Sequence, residues 1–234
     1  MKKRNDVLIL SEHVLEVRHA ASGSFLDVRG YVADYIRESG VFPHWKIDSN
    51  VVNFRDKSDK VERDGAFAGY KSAGYVVFNP ETRNYFQDKA NKYWNLLIKN
   101  QHYKLPEIKR FGARTKSFFP CPKSFEEINS QLYSMLITKD GQELIGGKQQ
   151  DFQLILDLSE KNFDIKLRIG PINHNEAGKY LNFESEQFEK CGLFIDIDVY
   201  KTKDLSHSGV SKLLKEAMEL TWVKLENIAN KVGI

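Results

Sequence analysis

Asp151-Phe-Gln-Leu-Ile-Leu-Asp-Leu158 and Phe163-Asp-Ile-Lys-Leu-Arg-Ile169, joined by Ser159-Glu-Lys-Asn162, decide the fold class. The second run alternates without a break. Phe163, Ile165, Leu167 and Ile169 fall on one side; Asp164, Lys166 and Arg168 fall on the other. A period of two marks a strand with one buried face, and a short polar link between two such runs reads as an antiparallel hairpin. Outward from it, His13 to His19, Val51 to Arg55 and Gly74 to Phe78 alternate as well, and Arg110 to Phe119 is strand-like but interrupted. Leu193 to Tyr200 is a further strand, with Phe194, Asp196, Asp198 and Tyr200 on one face.

Four segments carry the helical period instead. Phe25, Val28, Val32, Tyr35 and Ile36 follow Ser24 and stop at Gly40. Asn79-Pro80-Glu81 predicts a second start, with Asn79 as cap and Pro80 in the first turn, ahead of Phe86, Ala90, Tyr93, Trp94 and Leu97. Ser124-Phe-Glu-Glu127 is a capping box before Phe125, Ile128, Leu132, Met135 and Leu136. The last helix spans about Ser208 to Lys231, with Val210, Leu214, Met218, Leu225 and Ile228 on its apolar stripe. Asp140-Gly141 and Gly146-Gly147 read as turns. Hairpins with few crossovers predict an α+β protein, a mainly antiparallel sheet with helices packed mostly on one side. Without a Pro/Gly/Ser-rich linker, residues 1–234 read as a single compact unit with loosely similar halves, 1–105 and 106–234.

Composition narrows the class. An apolar fraction of 41% and an aromatic fraction of 12% belong to a folded globular chain. The net charge of +3 hides an asymmetry: residues 1–120 hold 21 Lys/Arg against 14 Asp/Glu, and residues 121–234 hold 14 against 18. The only cysteines, Cys121 and Cys191, lie far apart in sequence and form no CxxC, which argues against a disulfide framework or a Cys-based zinc site. Met1-Lys-Lys-Arg-Asn-Asp6 has the charge of a signal-peptide start, but the apolar run from Val7 to Leu10 is too short for one. No run is long enough to span a membrane, so the expected location is cytoplasmic.

Functional signals are few. Phosphate-cradling loops, GxSxG and HExxH are absent, and the six histidines are scattered, so no motif asks for a cofactor. Between Lys99 and Phe119, Lys99, Lys104, Lys109, Arg110, Arg114 and Lys116 face one acid, Glu107, with His102, Tyr103, Phe111, Phe118 and Phe119 interleaved. Cations neutralise phosphates and aromatic rings stack on unpaired bases, so this stretch is the nucleic-acid candidate. Asp157, followed by Asp164-Ile-Lys166 in the next strand, resembles the PD-(D/E)xK nuclease pattern, which implies a divalent ion on Asp157 and Asp164 with Lys166 beside it. It departs from that pattern in lacking the Pro and in carrying Asp for the commoner Glu. Asp196-Ile-Asp198 points two carboxylates one way, which suits either a metal or pairing with Lys166 or Arg168 on a neighbouring strand. Arg37 and His44 match HEPN ribonuclease spacing, but Gly40 and Pro43 break the helix that motif needs.

Three blocks, Lys109-Arg-Phe-Gly-Ala-Arg114, Leu167-Arg-Ile-Gly-Pro-Ile172 and Gly192-Leu-Phe-Ile-Asp-Ile-Asp-Val199, are similar in order and spacing to a sporadically distributed family of uncharacterised bacterial proteins of about this length. Val14-Leu-Glu-Val17 matches its opening strand. The resemblance implies a life beside mobile elements or defence operons and brings no catalytic residues. The sequence reading is therefore a non-enzymatic interaction or accessory protein, with a protein partner or a second copy as its target and residues 99–119 as the contact surface. A nucleic-acid-binding or metal-dependent nuclease-like protein using Asp157, Asp164 and Lys166 is the alternative.

Overall fold

The computed structural model describes residues 8–233; the basic start and Val7 lie outside the described residues. Within the described residues, nine strands and five α-helices follow one another. The first half runs β1 (Leu10–His19), α1 (Gly23–Glu38), β2 (His44–Ile47), β3 (Val51–Arg55), β4 (Asp64–Gly69), β5 (Ser72–Phe78) and α2 (Tyr85–Leu97). The second half runs β6 (Ile108–Pro120), α3 (Phe125–Leu136), α4 (Lys139–Ile145), β7 (Leu154–Glu160), β8 (Phe163–Ile172), β9 (Gly192–Lys201) and α5 (Val210–Val232). All strands join one antiparallel sheet in the order β2-β3-β4-β5-β1-β6-β9-β8-β7, so the fold is α+β as expected. After β1 and α1, a four-strand meander ends with β5 beside β1 and leads into α2; after β6, α3 and α4, a three-strand meander ends with β9 beside β6 and leads into α5. The two first strands, β1 and β6, pair at the centre.

Strand alternation sends one set of side chains beneath the helices. Leu15 and Val17, Tyr75 and Val77, Phe111 and Ala113, Ile195 and Ile197, and Ile165 and Leu167 are buried there with Phe25, Trp94, Leu132 and Leu214. α1 packs on β2 and β3, α2 on β5, α3 on β8 and β9, and α5 on β6 and β9. On the opposite face, residues 173–191, which include two short 3-10 turns, fold over one end. There Leu10, Phe118, Ile172, Ala177, Leu181, Phe188 and Phe194 form a second, smaller core.

Local signals behave as their chemistry requires, with exceptions. Ser124 Oγ accepts from the Glu127 N–H while the Glu127 carboxylate accepts from the Ser124 N–H, closing the box that starts α3. Ser124→Ala is expected to cost about 1 kcal/mol, read as a lower urea midpoint with an unchanged slope. Asn79 does not cap α2. Its N–H bonds Ser11 O and its φ is +45°, so its backbone closes the β1–β5 ladder and the helix begins only at Tyr85. α1 likewise starts behind Ser22 rather than Ser24. Asp140-Gly141 lies inside α4, where Thr138 Oγ1 accepts from the Gly141 N–H. β6 is unbroken over thirteen residues because β1 and β9 pair with it along both sides; Arg110, Arg114 and Lys116 face away from the helices, while Thr115 and Ser117 are buried beneath them. β2 and β4 were not expected. β4 is Asp-Gly-Ala-Phe-Ala-Gly and lacks a bulky alternation; it is a strand because β3 and β5 pair with it on both sides.

Candidate functional site: the uncovered face of the sheet

The face away from the helices is built from alternate residues of every strand. On β1 these are Glu12, Val14, Glu16 and Arg18, and on β6 Arg110, Gly112, Arg114 and Lys116. β9 adds Asp196, Asp198 and Tyr200, β8 adds Asp164, Lys166 and Arg168, and β7 adds Ile155, Asp157 and Ser159. Counted together, that half of the face holds six acids and six bases. Across β3–β5 the face carries Val51, Phe67, Val76 and Phe78, half-exposed around Gly65 and Gly74, with Asn53 and one base, Arg55, on β3.

The charges sit in rows of opposite sign on adjacent strands and pair across them. Arg114 grips Asp196 with two bonds, Nε to Oδ1 at 2.8 Å and Nη2 to Oδ2 at 2.6 Å. Arg110 donates to Asp198 at 2.8 Å and stacks 4.7 Å from the Tyr200 ring centre. It reaches that far because Gly112 lies beneath it: a Cβ at 112 would strike the guanidinium. Burial pushes the Asp198 carboxyl pKa up, and the Arg110 and Arg114 guanidiniums pull the other way.

Lys116 is committed to the fold. Its ammonium donates to Glu12 Oε1 at 3.1 Å and to Tyr180 O at 3.0 Å, while the Glu12 carboxylate also accepts from the Asn182 N–H and side-chain amide. Glu12 is 3% exposed, so this buried pair clamps the 173–191 segment onto the sheet. In the sequence Glu12 carries no motif; it is a lone carboxylate just after the short apolar run from Val7 to Leu10. Beside the clamp, Glu12, Val14, Glu16, Arg18, Phe67, Arg110, Gly112, Arg114 and Lys116 border an open groove of about 330 Å³, with a second of about 280 Å³ around Arg114, Ile155, Lys166, Arg168 and Asp196.

The six basic residues between 99 and 119 do not make one surface. Only Arg110, Arg114 and Lys116 share the uncovered face. Lys109 pairs with Glu107 at 2.5 Å, and Lys99 and Lys104 lie in or beside the turn after α2. The interleaved rings are inside: Tyr103, Phe111, Phe118 and Phe119 are all buried, and only His102 is exposed, stacked on Tyr31 at 4.9 Å.

On the hairpin, Asp157 stands opposite Lys166, 4.0 Å apart at the charged atoms, and Asp164 stands opposite Ser159, whose hydroxyl donates to it. Among the described residues, no three His, Cys, Asp or Glu side chains gather in metal-binding geometry. Asp196 and Asp198 lie opposite Arg168 and Lys166 in register, yet their hydrogen bonds run to Arg114 and Arg110 on the other neighbour. Cys121 and Cys191, distant in sequence, are brought side by side where β6 ends and β9 begins, and both are buried. Among the described residues, no helix is long and apolar enough to cross a membrane. No protein-family model matches this chain, and no curated protein matches it.

Proposed function

We propose that this protein works by binding another protein, without catalysis, through the uncovered face of its sheet. The supporting observation is the balance of charge there. A polyanion needs surplus cations, and across β1, β6, β9, β8 and β7 six acids answer six bases. A phosphate chain would have to displace Asp196 from Arg114 and Asp198 from Arg110, and the rings interleaved with the 99–119 cations, Tyr103, Phe111, Phe118 and Phe119, are buried away from it. A protein segment carrying both signs can instead exchange partners along the ladder and lay an apolar side chain on Val14 and Phe67.

The test is affinity capture with the full chain as bait, beside a gel-shift titration with single- and double-stranded DNA and RNA, with and without Mg²⁺. Captured protein is expected to be lost with Arg110→Glu/Arg114→Glu and kept with Lys212→Glu on the far side of the molecule. No shift and no cleavage are expected. A shift that weakens steeply with salt would move the reading to nucleic acid, and Mg²⁺-dependent products abolished by Asp164→Asn would move it to nuclease chemistry.

A further inference from the structure

The two edges of the sheet are treated differently. β2, at one edge, is four residues long, carries Lys46, has α1 packed against it, and is tied to α1 through Arg29, which donates to Asp48 O at 3.0 Å. Short length, charge and a covering helix are the usual protections of a sheet edge. β7, at the other edge, has seven residues, Leu-Ile-Leu-Asp-Leu-Ser-Glu, with Ile155 57% and Leu156 36% exposed. Six of the eleven large apolar side chains exposed among the described residues fall between 135 and 156: Met135, Leu136, Leu144, Ile145, Ile155 and Leu156.

Its backbone is also open. The Cys121 N–H bonds Cys191 O, which sets odd residues of β6 and β9 towards each other. The β6–β9, β9–β8 and β8–β7 registers run without a shift, so alternation carries through to the edge. The N–H and C=O groups of Ile155, Asp157 and Ser159 therefore point away from β8, into solvent.

We propose that β7 pairs antiparallel with β7 of a second copy of this chain, across a two-fold axis at Ile155, making one continuous sheet. The choice of occupant rests on self-complementarity. A two-fold perpendicular to the sheet preserves its faces, so the register must centre on one residue. Centred on Asp157, the register sets that carboxylate against itself; centred on Leu154, it sets Asp157 against Asp151. Centring on Leu158 opposes Leu156 to Glu160, and centring on Leu156 opposes Ile155 to Asp157. Centred on Ile155, the strand opposes Ile155 to its own copy, Leu154 to Leu156, Leu158 to Phe152 and Asp157 to Gln153. That register leaves no like charges facing and forms about six main-chain hydrogen bonds.

Sedimentation velocity on the full chain over a concentration series tests this. A monomer–dimer equilibrium is expected. Asp157→Pro should abolish it with the circular dichroism and melting profile retained, because the N–H it removes is one of those facing solvent. Ile155→Lys, at an exposed position, should do the same, and Ile155→Cys should give a covalent dimer on mild oxidation. A chain that stays monomeric at every concentration, or a dimer that survives both Asp157→Pro and Ile155→Lys, overturns the pairing and leaves the edge for an extended segment of a different protein.

Discussion

Acidification from pH 7 to pH 4 is expected to remove several kcal/mol of stability through one side chain, His13, at about 1.4 kcal/mol per pH unit. His13 lies on the helix side of β1, stacked on Phe86 at 5.2 Å and tilted against Trp222 at 5.7 Å between ring centres. Its ring nitrogens bond two hydroxyls, Ser11 Oγ and Thr115 Oγ1, each at 2.9 Å. A neutral imidazole satisfies both, one nitrogen donating and the other accepting. Among the described residues no carboxylate bonds to the ring, and burial lowers its pKa from 6.5 to about 3. The unfolded chain takes up a proton near 6.5 that the folded chain refuses until about 3. The contribution is therefore complete above the unfolded value and is lost as pH falls between the two. Urea titrations at several pH values, in wild type and His13→Phe, isolate this contribution, since carboxylates titrate alike in both. The wild type should lose stability faster by about 1.4 kcal/mol per pH unit below 6. Equal slopes would mean that the ring is protonated in the fold.

Gly74→Ala is expected to be as damaging at neutral pH. Gly74 sits in β5 between Glu16 of β1 and Phe67 of β4. A Cβ there would run into the carbonyl oxygen of Leu15 and come within 2.6 Å of the Phe67 ring. A ring can turn, but a carbonyl held in the middle of a sheet cannot, so β1 or β4 must move. A loss of about 3 kcal/mol follows, or roughly 6–12 °C of melting temperature for a chain of this size. Phe67→Ala in the same chain should recover little of it, because the carbonyl stays. Gly30→Ala is the contrast: mid-helix in α1, with nothing within 4 Å of the added methyl, it should stabilise by about 0.5–1 kcal/mol. Differential scanning calorimetry of the three variants separates these outcomes, and a Gly74→Ala protein that melts with wild type would refute the clash.

How legible each feature was depended on how local its physics is. The Ser124 capping box and the β7–β8 hairpin were legible because their partners lie within a few residues. β4 was hidden because nothing in Asp-Gly-Ala-Phe-Ala-Gly favours a strand until two neighbours supply its hydrogen bonds. Asn79 misled because a good capping residue was already engaged by β1, far back in the chain. The basic segment shows the same limit in the candidate site. Its charges were visible, but the carboxylates that answer them, Glu12, Asp196 and Asp198, come from other strands.

The sequence by itself determined the α+β class, the alternation that gives each strand a buried and an exposed side, and three of the four predicted helix starts to within two residues. Periodicity and capping depend on residues close in the chain, and these can be read in order. Only the tertiary structure decided which acid answers which base, that the aromatic rings of residues 103–119 turn inward, and that β7 is left as an open edge while β2 is covered. Those are properties of strand order and register, set by contacts between residues distant in sequence, and no local pattern encodes them.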